Sequence, residues 1–174
     1  MLFLRTDGFK MKYFINIFLL LFFAISLTAQ QNTQQNQIQT QSNLAIQYYN
    51  ARDYEKAVPS LWNVYELTKN SAYFRYYLDC LIQLKRTDEA IRQIQDEIKS
   101  QKPAKPEFYI HWGYLLKMQS KTGESKQKYE EAIALIQQNK NEYLVAANAF
   151  LGWQEYEYAK NTYLKGEQVL GSGQ

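Results

Sequence analysis

The 174-residue chain carries 20 basic and 17 acidic side chains, a formal charge of +3, with one Cys and one His. A charge this close to neutral gives no electrostatic basis for binding nucleic acid. A single Cys excludes an intramolecular disulfide, and a single His means that a mononuclear metal site would need mainly carboxylates. Composition therefore argues against a nucleic-acid-binding protein and against a disulfide-stabilised one.

Residues 1–29 have the pattern of an export signal. Three basic residues come first: Arg5, Lys10 and Lys12. The apolar run over 13–27 has 15 residues, whereas a membrane-spanning helix needs roughly 20 and a signal-peptide core about 7 to 15. The residues that end at Ala29 resemble the small-residue motif after which a signal peptide is cleaved. We therefore predict a signal peptide and an exported protein that is periplasmic, envelope-associated or secreted.

Two alternatives for this segment stay open. The first is an uncleaved membrane anchor, which would be the chain's only membrane contact. The second is translation from Met11, because Met11 and Lys12 would by themselves begin a compact export signal. Removal of residues 1–29 leaves 17 basic against 16 acidic side chains, a formal charge of +1.

Residues 30–42 form a Gln-rich tract in which Ile38 is the one apolar side chain. Such a tract buries too little surface to offset the entropy of ordering it. It is predicted to be a flexible linker between the export segment and a folded domain over 43–170.

From residue 43 onwards, apolar residues recur at three- and four-residue spacing, as in Ile91, Ile94 and Ile98. The spacing and the turn residues predict eight helices: 43–51, 54–68, 71–84, 88–100, 106–119, 123–138, 141–153 and 156–170. The longest break is predicted at 102–106, which contains two prolines. Thr122 is predicted to cap the sixth helix. The fold class is therefore all-α.

Small residues recur along the helical region in two registers. One series is Ala57, Ala90, Ser125 and Ala159, at intervals of 33, 35 and 34 residues. The other series, of small or apolar residues, keeps the same intervals twelve residues earlier: Ala45, Leu78, Gly113 and Ala147. A constant interval near 34 residues indicates a repeat built from two helices, in which small residues allow the helices to approach closely.

The residues around these positions resemble the tetratricopeptide repeat. Matching segments include Leu44-Ala45 with Tyr48, Asp53-Tyr54-Glu55-Lys56-Ala57, Asp88-Glu89-Ala90, Trp112-Gly113 and Tyr156-Glu157-Tyr158-Ala159. The resemblance implies a right-handed helical-repeat solenoid of about four helix-turn-helix units, over about 38–70, 71–105, 106–139 and 140–172. It is specific for the fold and much less so for function, because the family serves many assemblies.

Several residues depart from the family pattern. Leu78 and Glu97 stand where repeat two should have small residues, so looser packing is expected there. Pro59 lies inside a predicted helix, where it removes a backbone donor at a cost of up to about 3 kcal/mol. No further helix follows residue 170, so the last apolar face is expected to be covered by a partner, a second copy or residues of a longer protein.

The sequence contains few of the residues and motifs that catalysis requires. Cys80 lies among apolar neighbours and is predicted to be a small buried hydrophobe. His111 lies between Ile110 and Trp112 on a predicted helix, and no phosphate-binding loop or paired metal-ligand motif occurs. We predict no enzymatic activity, no catalytic residues, no metal and no cofactor.

Transferred by register, the family's concave face consists of residues on the first helix of each repeat. They are Tyr49, Asn50, Arg75, Asp79, Ile82, Tyr114, Lys117, Met118, Asn148 and Leu151. Aromatic, amide and mixed-charge side chains suit an extended or helical peptide. One subset of the family grips peptide carboxylates with Lys and Asn in the first repeats. Ser42 and Ile46 stand at the matching positions, so that clamp is absent.

These observations predict a non-catalytic scaffold or adaptor of the cell envelope that binds a protein or peptide through this face. One alternative is an envelope module for a carbohydrate or peptide ligand, with tyrosines stacking on it. Another is the helical part of a longer, truncated protein. Self-association through the uncovered last repeat would also fit.

Overall fold

A computed structural model describes residues 30–31, 33–136 and 140–171 of the chain. The first helix, α1, covers the described residues 30–31 and 33–50. Seven more follow: α2 (Tyr54–Thr68), α3 (Ser71–Gln83), α4 (Thr87–Ser100), α5 (Pro106–Met118), α6 (Thr122–Leu135), α7 (Lys140–Gly152) and α8 (Tyr156–Gly171). No strand occurs in these ranges, so the all-α prediction is confirmed. None of the described helices is both long and apolar enough to cross a membrane.

The Gln-rich tract is helical where the structure describes it. The sequence predicted a flexible linker over 30–42 and a helix from 43, whereas α1 already includes residues 33–42. Gln is a good helix former and the tract contains no Gly or Pro. Ser42 is buried, and Gln41 accepts a hydrogen bond from Asn63 of α2. Tertiary contact therefore adds to local propensity, and the predicted helix boundary was wrong. The predicted export segment, 1–29, lies outside the described residues.

Helices adjacent in sequence pack against each other. Among α2 to α8, the most extensive contacts join α2 with α3, α5 with α6 and α7 with α8, and α5 also contacts α4 and α7. One hydrophobic core runs through these pairs. Phe74 of α3 lies near its middle, with ring centroids 4.8 Å from Tyr65 of α2 and 5.4 Å from Phe108 of α5. The arrangement is that of an all-α helical repeat.

Both series of small residues lie inside this core. Ala57, Ala90, Ser125 and Ala159 are each at most 2% exposed, and Ala45, Leu78, Gly113 and Ala147 are all buried. A Cβ at Gly113 would overlap the Tyr129 ring and lie 3.1 Å from the Ser125 carbonyl oxygen. The close contact between α5 and α6 therefore requires glycine. At the equivalent position Leu78 is buried, and α3 contacts α4 over a shorter stretch.

The turn between the two helices of a pair has the same geometry in four pairs: α1–α2, α3–α4, α5–α6 and α7–α8. In these turns the residues with left-handed backbone are Arg52 (φ 58°), Lys85 (φ 61°), Ser120 (φ 62°) and Gln154 (φ 61°); Lys69 (φ 49°), between α2 and α3, also has a positive φ. The next residue donates its N–H to the carbonyl five residues back: Asp53 to Tyr48, Arg86 to Leu81, Lys121 to Leu116 and Glu155 to Phe150. These are Schellman motifs formed without glycine. The backbone carbonyls of Asp53, Arg86, Lys121 and Glu155 then accept the N–H of the small residues at 57, 90, 125 and 159. These hydrogen bonds begin the next helix.

Three local expectations have clear outcomes. Glu97 is 7% exposed, and its carboxylate accepts hydrogen bonds from the Tyr65 hydroxyl and the Gln101 amide, both at 2.8 Å. The bulk of Glu97 is thus accommodated by a buried polar network. Pro59 lies inside α2 on an exposed face, without ending the helix. Thr122 is the first helical residue of α6 rather than its cap, because the Schellman turn places Lys121 at the cap position.

Candidate functional site

The predicted site residues lie on α1, α3, α5 and α7, whose surface we call the odd-helix face. The Tyr49 hydroxyl of α1 donates to the Asp79 carboxylate of α3 at 2.6 Å. Burial, and then this bond, raise the pKa of the Tyr49 hydroxyl. On α5, the ring of Tyr114 stacks on Trp153 at a centroid distance of 4.1 Å. Two of the predicted residues, Tyr49 and Asp79, are thus in direct contact.

Two more of these side chains are held by contacts to the turn before α8 and to α8 itself. The Lys117 ammonium lies 2.7 Å from the Glu155 carboxylate, which also accepts from the Tyr129 hydroxyl of α6. The Asn148 Oδ1 atom accepts from the Tyr163 hydroxyl of α8 at 2.7 Å. These bonds fix both side chains in place.

The rest of the predicted set is apolar or peripheral. Met118 and Leu151 are 48% and 41% exposed, and Ile82 is half-buried. Asn50 is exposed and lines a shallow depression along α1 together with Tyr73. It takes no part in the contacts described above. The odd-helix face thus combines exposed apolar side chains with polar ones that have internal partners.

In the described part of the chain Arg75 has no hydrogen-bond partner, unlike Tyr49, Lys117 and Asn148 of this face. Its guanidinium lies over the Tyr76 ring at 4.5 Å and within 6.0 Å of the Trp153 ring, and it makes no hydrogen bond or ion pair within the described residues. A Cβ at Gly152 would lie 2.7 Å from the Arg75 Cδ atom, so the glycine leaves the space that the arginine occupies. A positioned, half-buried guanidinium is left with its donors unused.

Beside Arg75, a cavity of about 270 Å³ opens between α3, α5 and α7. Its walls are formed by Ser71, Ala72, Arg75, Glu107, His111, Val145, Asn148 and Ala149. The sequence predicted Arg75 and Asn148 for the binding face and did not predict Glu107, Ser71 or His111. No periodicity in the sequence marks these three, because their proximity depends on how α3 and α5 pack.

His111 is a buried polar residue of this wall. It is 2% exposed, and its Nδ1 atom accepts from the Trp153 indole N–H at 2.7 Å. Its Nε2 atom is buried without a partner in the described structure. Burial, together with the positive charge of Arg75, lowers the pKa of His111 to about 3, so the imidazole is neutral.

Glu107 supplies a carboxyl group to the same wall. Its side chain is 4% exposed, and Lys105 lies 3.9 Å away. Burial raises the pKa of Glu107, whereas Lys105 and a hydrogen bond from Ser71 act in the opposite direction. The carboxyl group therefore has partners of its own at the edge of the cavity.

Cys80 is fully buried, as predicted, and burial raises the pKa of its thiol to about 12. No three His, Cys, Asp or Glu side chains in the described ranges are grouped to hold a metal ion.

Comparison with protein-family models and with curated proteins gives no match to this chain.

Proposed function

We propose that the chain is a non-catalytic interaction module of the cell envelope, with tetratricopeptide-like repeats, that binds a protein partner through the odd-helix face. The observation that carries the proposal is the composition of this face. It presents exposed Met118 and Leu151 and the unused donors of Arg75 beside a cavity. Apolar contact area next to an unsatisfied arginine is typical of sites that bind proteins.

The assignment to tetratricopeptide-like repeats is supported by the recurrence of one local geometry. The left-handed turn residues keep the intervals of 33, 35 and 34 residues that the small residues show in the sequence. A unit of this length with two helices is the one that this family uses.

The non-catalytic part of the proposal is supported by the state of the two most reactive side chains. A buried thiol with a pKa near 12 is not a nucleophile at neutral pH. A neutral imidazole with a pKa near 3, whose Nδ1 atom is already bonded, is a poor general base. The envelope location depends on the basic and apolar pattern of residues 1–29.

The proposal is tested by cross-linked affinity capture in the native cell envelope, followed by mass spectrometry. The site variant is Met118→Asp with Leu151→Asp. The matched control is Leu67→Asp with Leu164→Asp, which changes similarly exposed side chains on the even helices α2 and α8. We expect a partner in near-equal amount with wild type and control, and a loss of about tenfold or more with the site variant.

Circular dichroism melting curves show whether both double variants stay folded. Equal capture by the site variant and the control would overturn the proposal, as would recovery of the chain alone.

A further inference from the structure

The cavity between α3, α5 and α7 offers mainly hydrogen-bond donors. A Trp indole nitrogen can only donate a hydrogen bond, so the His111 Nδ1 atom bonded to it must be the acceptor. In a neutral imidazole the proton then lies on Nε2. The buried Nε2 atom is thus an N–H donor without an acceptor.

The hydrogen bond made by Asn148 likewise determines which part of its side chain is available to a ligand. Its Oδ1 atom is taken by the Tyr163 hydroxyl, which leaves the amide NH₂ group as the free part of the side chain. Arg75 adds guanidinium donors that have no acceptor within the described residues. Three side chains that line this cavity, from three helices, therefore carry unused donors, and a ligand that complements them must supply acceptors.

The remaining polar wall limits the charge of that ligand. Glu107 is buried and partnered by Ser71 and Lys105, and it forms no ion pair with Arg75. A dianion such as phosphate would place its second charge close to this carboxyl group, whereas a monoanion needs only Arg75. Arginine also matches the two oxygens of a carboxylate in a bidentate geometry.

We propose that this cavity binds a carboxylate group of the protein partner, with Arg75 as the charged anchor, Asn148 as a second donor and the His111 Nε2–H at the cavity wall. The inference depends on the proposed function, since it names the chemical group by which a partner would be recognised on the odd-helix face.

Calorimetric titration of the full chain with two small probes tests the charge requirement. N-acetylalanine and N-acetylalaninamide have nearly the same shape and differ in the carboxylate. We expect N-acetylalanine to bind at least about tenfold more tightly than the amide, and Arg75→Gln to remove this preference. Arg92→Gln, an exposed position on α4, is the matched control and should keep it. Equal binding of the two probes, or a preference that survives Arg75→Gln, would overturn the inference.

The single histidine provides a second, independent readout. In ¹⁵N-histidine-labelled protein one imidazole is observed, and we expect its Nε2–H resonance to shift on addition of N-acetylalanine and to stay unchanged with the amide. Inorganic phosphate should bind more weakly than N-acetylalanine; tighter phosphate binding would contradict the carboxylate assignment. An unmoved Nε2–H signal would show that the acid binds elsewhere.

The two proposals can fail separately. If capture depends on Met118 and Leu151 but not on Arg75, the interaction face stands and the carboxylate site is wrong. If N-acetylalanine binds through Arg75 but the site variant captures the same partner, the proposed docking face is wrong and the cavity stands as a carboxylate site.

Discussion

On the odd-helix face, most polar side chains have a partner within the chain. Tyr49 bonds to Asp79, Lys117 to Glu155, and Asn148 to Tyr163. Sequence position alone does not show which of these residues is available to bind a partner. Hydrogen bonding separates them, because a donor that is already satisfied gains little from a ligand, whereas Arg75 still has its donors unused.

At the residue scale, His111 makes the stability of the protein depend on pH. Its folded-state pKa is about 3, whereas an unfolded histidine has a pKa of about 6.5. Between these values the unfolded chain binds the proton and the folded chain does not. The stability contributed by His111 is therefore complete only well above pH 6.5 and is lost on acidification, by about 1.4 kcal/mol between pH 7.5 and 5.5.

Urea unfolding of the wild type and of His111→Asn at the two pH values measures this effect. The asparagine amide oxygen can take over the bond from the Trp153 indole. We expect the variant to lose the histidine contribution while the other titrating groups, Glu107 among them, act alike in both proteins. An identical pH dependence in both would refute the assigned pKa.

At the scale of helix pairs, a glycine governs the contact between α5 and α6. The Tyr129 ring occupies the space that a side chain at Gly113 would need. Gly113→Ala should therefore lower the free energy of unfolding by about 1–3 kcal/mol through overpacking, reduced by up to about 1 kcal/mol of helix propensity.

Gly123 in α6 is the matched control. A Cβ at Gly123 meets nothing within 4 Å, so Gly123→Ala should leave stability unchanged or raise it slightly. Urea unfolding followed by circular dichroism compares the two variants. A Gly113→Ala protein as stable as the Gly123→Ala protein would show that α5 and α6 can move apart at no cost.

The helices themselves were largely predictable, because their periodicity is local. The breaks near residues 52, 85 and 154 were placed correctly, and the long break before α5 is confirmed. The predicted cap at Thr122 was wrong, since a Schellman turn normally carries glycine as its signal and here uses Ser120. The start of α1 was also missed, because the burial of Ser42 depends on packing that composition does not report.

At the scale of the whole molecule, Trp153 joins three helices of the odd-helix face. Its indole donates to His111, its ring stacks on Tyr114, and it lies near the Arg75 guanidinium. Trp153→Phe keeps an aromatic ring and leaves the buried His111 Nδ1 atom without a donor. We expect it to cost about 1–3 kcal/mol of stability for the unpaired acceptor in addition to lost packing.

Trp62→Phe separates these two contributions. Trp62 packs on Tyr65, Phe74 and Tyr77 through ring contacts and has no hydrogen bond within the described residues. Thermal unfolding should therefore show a larger loss for Trp153→Phe than for Trp62→Phe. Equal losses would mean that the indole–imidazole bond contributes nothing measurable.

The sequence by itself determined the helical class and the interval of the repeat, because both follow from spacing along the chain; the resemblance to the repeat family supplied the residues of the odd-helix face. The tertiary structure alone decided which of those residues are free to bind. Ser71, Arg75, Glu107, His111 and Asn148 come from three helices that lie far apart in sequence. Their common cavity, the protonated nitrogen of His111 and the unpaired state of Arg75 depend on partners that only the packing of α3, α5 and α7 brings within reach.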